Sequence, residues 1–205
     1  MRVAIYMEGG GQTSRTKGLL RQGMEVFLAD IKGACREQGW YWTLVCCGSR
    51  NEAYRHFCDA HAKMEGGIVV LLVDSETRVS GRTAAEHLVG RDGWDLQHID
   101  DVIHLMVQTM ETWIVADQEA LTKYYGQGFR GNALPLHHPN LEDVSKFDIA
   151  QALNRATEGT RKGRYKKIGH ARDLLQHIDP VTVRQRCPHC DRLFETLLRL
   201  IRRVD

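Results

Sequence analysis

Three carboxylates have the types and spacing of a metal site. Glu8 ends the first hydrophobic run, Val3-Ala4-Ile5-Tyr6-Met7, and Asp74 ends a later one, Ile68-Val69-Val70-Leu71-Leu72-Val73. Glu76 lies two residues beyond Asp74 and can turn back toward the same edge. Carboxylates gathered at one place repel one another unless a cation neutralises them. Hard oxygen ligands select Mg²⁺ or Mn²⁺ over softer metals. Gly9, Gly10 and Gly11 follow Glu8 and let the backbone turn sharply and approach a phosphate. The plainer alternative is that Glu8 and Asp74 cap helices or sit in solvated turns. The coincidence of both after apolar runs, joined by Glu76, weighs against it.

Metal-assisted phosphoryl transfer also needs positive charge at the leaving oxygen. The basic stretch Arg161-Lys162-Gly163-Arg164-Tyr165-Lys166-Lys167 offers Arg164, Lys166 and Lys167, with His170 just beyond. These four and Arg50, which follows the second strand, are candidate phosphate ligands, and Lys167 is also a candidate catalytic cation. Each has an alternative as a solvated surface residue. Cys187-Pro188-His189-Cys190 is a lone C-x-x-C with no second ligand pair at zinc spacing and no thioredoxin-like strand before it. Gly9-Gly10-Gly11 matches neither a Walker loop nor the dinucleotide fingerprint, which argues against ATP or NAD binding by this chain.

The elements that must position these residues follow from periodicity. Val3–Met7 reads as a short buried strand, and residues 15–38 as a helix carrying Leu19, Leu20, Met24, Phe27, Leu28 and Ile31 at helical spacing. Trp40–Cys46 reads as a second strand and Asn51–Lys63 as a helix. Ile68–Val73 is continuously apolar, as in a central strand covered on both faces. Val102–Val107 is a fourth strand and Met110–Tyr125 a helix, with the alternative that Asp117 caps a separate helix. Gly126–Asn140 is an ordered loop. Further helices are expected at about 144–157, 170–177 and 189–203. The β-α-β-α-β order predicts an α/β fold, with an open, mostly parallel sheet and a helical C-terminal part.

The 205 residues form one domain in this reading, an α/β core over 1–125 and a mostly helical extension over 126–205. The net charge of +2 excludes a polycation, so any surface for nucleic acid must be local. Six cysteines, no signal-peptide pattern and no apolar stretch of membrane length point to free thiols in a reducing cytoplasm, away from membranes.

Glu8-Gly9 after the first strand and Asp74-Ser75-Glu76 after a central one resemble the Toprim pattern, a glutamate followed by a DxD-type pair. The sequence is more closely similar to the prokaryotic Toprim-like family called domain-of-unknown-function 4276. The similarity is carried by Ala4-Ile5-Tyr6-Met7-Glu8-Gly9-Gly10-Gly11, Cys47-Gly48-Ser49-Arg50-Asn51-Glu52-Ala53, Leu71-Leu72-Val73-Asp74-Ser75-Glu76 and His104-Leu105-Met106-Val107. It continues through Met110-Glu111-Thr112-Trp113, Ala116-Asp117, Gly126-Gln127-Gly128-Phe129 and Gly163-Arg164-Tyr165-x-Lys167. The resemblance implies a Toprim-like, Rossmann-like fold and a metal-dependent phosphodiester chemistry related to that of OLD-family nucleases. It also implies a role for Glu111, which matches a further glutamate of those nucleases; an exposed glutamate favoured at a helix start is the alternative. Many Toprim proteins carry an acid four residues after the first glutamate, where this chain has Gln12.

The leading expectation is therefore an Mg²⁺- or Mn²⁺-dependent nuclease. Glu8, Asp74 and Glu76 would hold metal, with Glu111 and Lys167 beside it. By resemblance, it would be an effector of phage defence working with an AAA or ABC-type ATPase. A second expectation is a catalytically silent subunit of such an ATPase assembly, and a third is a phosphoryl enzyme acting on nucleotides. DNA and RNA are not distinguished.

Overall fold

A computed structural model describes residues 1–96 and 99–202. Strand β1 (Arg2–Glu8) leads through helices α1 (Ser14–Phe27) and α2 (Ala29–Glu37) to β2 (Tyr41–Gly48). Helix α3 (Arg50–His61) returns the chain to β3 (Ile68–Asp74), and α4 (Ala84–Asp92) precedes β4 (Ile103–Met106). The rest is helical: α5 (Met110–Ala116), α6 (Gln118–Tyr125), α7 (Lys146–Thr157), α8 (Lys167–His177), α9 (Pro180–Arg186) and α10 (Pro188–Arg202). The four strands pair in the order β2-β1-β3-β4, all parallel. The chain is thus an α/β protein with a Rossmann-like parallel sheet flanked by helices, as expected from the order of its apolar runs.

Parallel strands joined by crossover helices are covered on both faces, so their side chains alternate between two apolar layers. Val3, Ile5, Met7, Val70 and Leu72 enter the layer shared with α1, α2, α5 and the C-terminal helices. Val69, Leu71 and Val73 enter the layer shared with α3 and α4. Residues beyond 126 join the first layer through Leu134, Leu141, Ile149, Leu174 and Phe194. No helix among the described residues is long and apolar enough to cross a membrane.

Several boundaries differ from the sequence expectation. The helix expected over 15–38 is two helices meeting at Leu28. Leu28 N–H still bonds Met24 O, and Lys32 N–H bonds Leu28 O, so the hydrophobic spacing continues across the junction. The helix expected over Met110–Tyr125 divides at Asp117, whose Oδ1 accepts from Ala120 N at 3.0 Å; the capping alternative is the observed one. The strand expected over Val102–Val107 shortens to β4 because Asp100–Val102 forms a 3-10 turn. The expected 170–177 helix starts earlier, at Lys167. Helices α4 and α9 were not expected. Arg203, the last residue of the expected 189–203 helix, lies outside the described residues.

Candidate metal centre

Strands β1 and β3 are neighbours at the centre of the sheet, with β2 and β4 outside them. Winding reverses between them, and an open parallel sheet has its ligand crevice at such a switch, beyond the C-terminal strand ends. Glu8 is the last residue of β1 and Asp74 the last of β3. Their register, with Met7 opposite Leu72, brings both carboxyl groups to that crevice. Asp74 N–H donates to Glu8 Oε2 at 3.2 Å.

Glu76 is turned back by the backbone. Ser75 N–H bonds Met106 O at 3.1 Å and Glu76 N–H bonds Gln108 O at 2.8 Å, tying both residues to the end of β4. Glu76 adopts a left-handed φ of 64°, uncommon for a residue with a side chain. Ligand oxygens of Glu8, Asp74 and Glu76 thereby come within 4.8 Å of one another.

Asp74 is buried at the centre of this group. Its Oδ1 accepts from Met110 N at 3.0 Å, at the start of α5, and its Oδ2 faces Lys167 Nζ at 3.6 Å. Lys167 also reaches Glu111 Oε2 at 3.3 Å, and Tyr165 donates its hydroxyl to Glu111 Oε1 at 3.2 Å. Glu111 is therefore linked to Asp74 through Lys167 and stands beside the three-carboxylate group. Arg50 lies beneath it, 3.6 Å from Glu8 Oε2, donating to Asp74 O at 3.1 Å and pairing with Asp92 at 2.7 Å.

The electrostatics report a need for positive charge. Burial, reinforced by Glu8, Glu111 and Glu76 and opposed by Lys167, pushes Asp74 from its ordinary 3.8 up to about 7. Burial also raises Glu8 against the pull of Arg50. Burial would raise Glu76 as well, but its hydrogen bond and ion pair with Lys146 outweigh that and hold it low. Desolvation lowers Lys167, yet Asp74 and Glu111 more than restore it. An all-oxygen donor set in which Asp74 and Glu8 have raised proton affinity fits a hard divalent ion, which competes with the proton for the same oxygens.

The other expected residues fall elsewhere. Arg164 is exposed and pairs with Glu158 at 3.1 Å. Lys166 occupies the exposed N-cap position of α8. His170 Nδ1 meets Tyr125 Oη at 2.9 Å, within a group of tyrosine rings. Among the described residues, none of the three pairs with the clustered carboxylates. Conversely, spacing did not single out Lys146 or Tyr165. Lys146 is 70 residues from Glu76 and sits in no motif. Tyr165 lies in Gly163-Arg164-Tyr165-x-Lys167, where resemblance assigns it no role.

A cavity of about 300 Å³ adjoins the carboxylates. Its wall is the glycine run, with Gly9, Gly10 and Gly11 at φ 114°, 87° and 65°. A Cβ at Gly10 would stand 2.7 Å from Lys17 Cα, so both the left-handed turn and the approach of α1 require glycine there.

A family model described as a domain of unknown function (DUF4276) matches residues 7–198, nearly the whole chain. No curated protein and no solved structure matches it.

Proposed function

We propose that this chain, which belongs to the DUF4276 family, is a Toprim-type nuclease that hydrolyses phosphodiester bonds with Mg²⁺ or Mn²⁺ at Glu8, Asp74 and Glu76. The observation that carries this reading is the convergence of three carboxylate oxygens within 4.8 Å at the sheet's switch point, with Lys167 beside them. When bound, the divalent ion would supply an activated water and neutralise charge at the departing oxygen. Arg50 pairs with the Glu8 carboxylate and donates to the Asp74 main-chain carbonyl, bracing the ends of both strands. Tyr165, a hydroxyl held protonated by burial and by Glu111, keeps Glu111 aimed at Lys167. Lys167, cationic and only half exposed, is placed to meet negative charge developing on a phosphate. Lys146 holds one oxygen of Glu76, Oε2, and competes with the ion for that carboxylate's charge. Work beside an AAA or ABC-type ATPase in phage defence is proposed from the family resemblance alone.

Incubation of the protein, alone and with any ATPase encoded beside it, with DNA, bulk RNA or tRNA and Mn²⁺ tests this. Cleavage should be lost in Asp74→Ala and in Glu8→Ala. Cleavage that survives both substitutions refutes the mechanism.

A second reading, a catalytically silent partner of an ATPase, is favoured by one specific feature. Lys146 and Lys167 already pair with Glu76, Asp74 and Glu111, so the cluster carries its own counter-charge. Calorimetry separates the two: Mn²⁺ uptake that disappears in Asp74→Ala counts against the silent subunit.

A further inference from the structure

The cavity beside the carboxylates is lined by two chemically different sets of residues. One is charged: Glu8, Asp74 and Lys167. The other is Leu20, Met106, Met110 and Ala171, all buried and apolar, with Met106 paired to Asp74 in the sheet and Met110 N–H bonded to its carboxylate. The Gly10 and Gly11 N–H groups on its wall donate to no backbone carbonyl among the described residues. Ile168 stands at the mouth, 52% exposed, its Cδ1 3.6 Å from where a Cβ on Gly11 would lie. The volume, about 300 Å³, is at the lower end of the range for small-molecule sites. A duplex or a folded peptide is far too large for it.

We propose that this cavity receives one unpaired nucleobase, that of the nucleotide whose phosphate lies at Glu8, Asp74 and Glu76. The proposal rests on the metal-site reading above and adds a substrate class to it: single strands and frayed ends, with paired duplex excluded. The chemistry matches at each point. The anionic group of a nucleotide would meet the charged lining, Lys167 and a divalent ion held by the carboxylates. Its flat aromatic base would meet the apolar lining, where Met106 and Met110 add thioethers, a group that favours aromatic contact. The Gly10 and Gly11 N–H groups, which have no backbone acceptor among the described residues, are donors available to a base heteroatom. A base inside a duplex reaches such a cavity only after unstacking and unpairing, which costs a few kcal/mol; an unpaired base avoids that cost.

The test uses the full chain, with AMP and ribose 5-phosphate as probes, titrated calorimetrically with and without Mn²⁺. AMP should bind at least tenfold tighter than ribose 5-phosphate, which lacks only the base. In Ile168→Trp, which blocks the mouth, and in Ile168→Asp, which makes it polar and anionic, that advantage should fall below about threefold. Circular dichroism and thermal melting confirm that both variants fold, as the exposure of Ile168 allows. Single-stranded oligonucleotides should be cut at least tenfold faster than the same sequence in duplex. Equal binding of the two probes, or an advantage that survives in both variants, overturns the base pocket. Absence of Mn²⁺ uptake by the unaltered protein, with the AMP advantage intact, refutes the metal site and leaves the base pocket standing.

Discussion

Replacing Asp74 by Asn should stabilise the protein while abolishing its metal response. In the folded chain the Asp74 carboxyl is pushed from 3.8 to about 7, because it is buried among Glu8, Glu111 and Glu76 and only partly offset by Lys167. In the unfolded chain it ionises near its ordinary value. Between about pH 4 and pH 7 the folded state therefore binds the extra proton, and stability falls as pH rises through that window. At about 1.4 kcal/mol per pH unit, the penalty at pH 8 is about 4 kcal/mol as a ceiling. Local relaxation and water entry reduce it, so about 2 kcal/mol is a working figure, equivalent to about 4–8 °C in Tm for a chain of this size. Asn keeps an Oδ1 acceptor for Met110 N–H and carries no charge to bury. Thermal melts of both proteins at pH 5 and pH 8, with and without Mn²⁺, read this out. Asp74→Asn should melt several degrees higher at pH 8 without metal and match the parent more closely at pH 5. Mn²⁺ at about 100 times its Kd should stabilise the parent by about 2.7 kcal/mol and leave the variant unmoved. A variant no more stable than the parent at pH 8 would show that Asp74 is not strained by charge, and one that Mn²⁺ stabilises equally would show that Asp74 is not a ligand.

Other substitutions separate the roles of its neighbours. Lys167→Met should lower cleavage about 10²–10³-fold, the usual cost of losing a charge that faces the transition state, while calorimetric Mn²⁺ binding is kept; unchanged cleavage removes Lys167 from the mechanism. Lys146→Ala should tighten Mn²⁺ binding about threefold by freeing Glu76, with stability changed by less than about 1 kcal/mol because the pair is partly open to screening solvent; weaker Mn²⁺ binding would mean that Lys146 helps to hold the ion's ligands. Gly10→Ala should cost about 1–3 kcal/mol, since it forces a side chain into φ 87° against Lys17 Cα; an unchanged melting temperature contradicts the close approach described for α1.

What the sequence revealed depended on how far each signal travels along the chain. β1 and β3 were readable because strands buried on both faces are written as unbroken apolar runs. Glu8 and Asp74 were readable because a charge directly after such a run marks the strand's end. The junctions at Leu28 and Asp117 were harder: at Leu28 the backbone ladder and apolar spacing continue through the break. Helices α4 and α9 are short, and their only announcements are a capping box, Thr83 with Glu86, and the Asp179-Pro180 start. Position after the second strand makes Arg50 a candidate phosphate ligand, yet its guanidinium is engaged by Glu8, Asp92 and the Asp74 carbonyl. The spacing of the basic stretch predicts one phosphate clamp, yet of its candidate cations Lys167 alone pairs with the carboxylates, while Arg164 pairs with Glu158 and Lys166 is exposed ahead of α8. Lys146 could not be foreseen, since its pairing with Glu76 spans 70 residues and exists only once α7 has docked.

The distance along the chain between Lys167 and Glu111 has a consequence for synthesis. All four acids precede the lysine, and 56 residues separate it from the last of them. At roughly 5–20 residues per second, roughly 3–11 s pass between synthesis of Glu111 and that of the lysine that balances it and Asp74. During that interval the chain's own cations at the crevice are Arg50, beside Glu8, and later Lys146, beside Glu76, while Asp74 and Glu111 lack the lysine that faces them. A chain that stalls before residue 167 never acquires the lysine at all. Translation order thus postpones completion of the centre until most of the protein has been made.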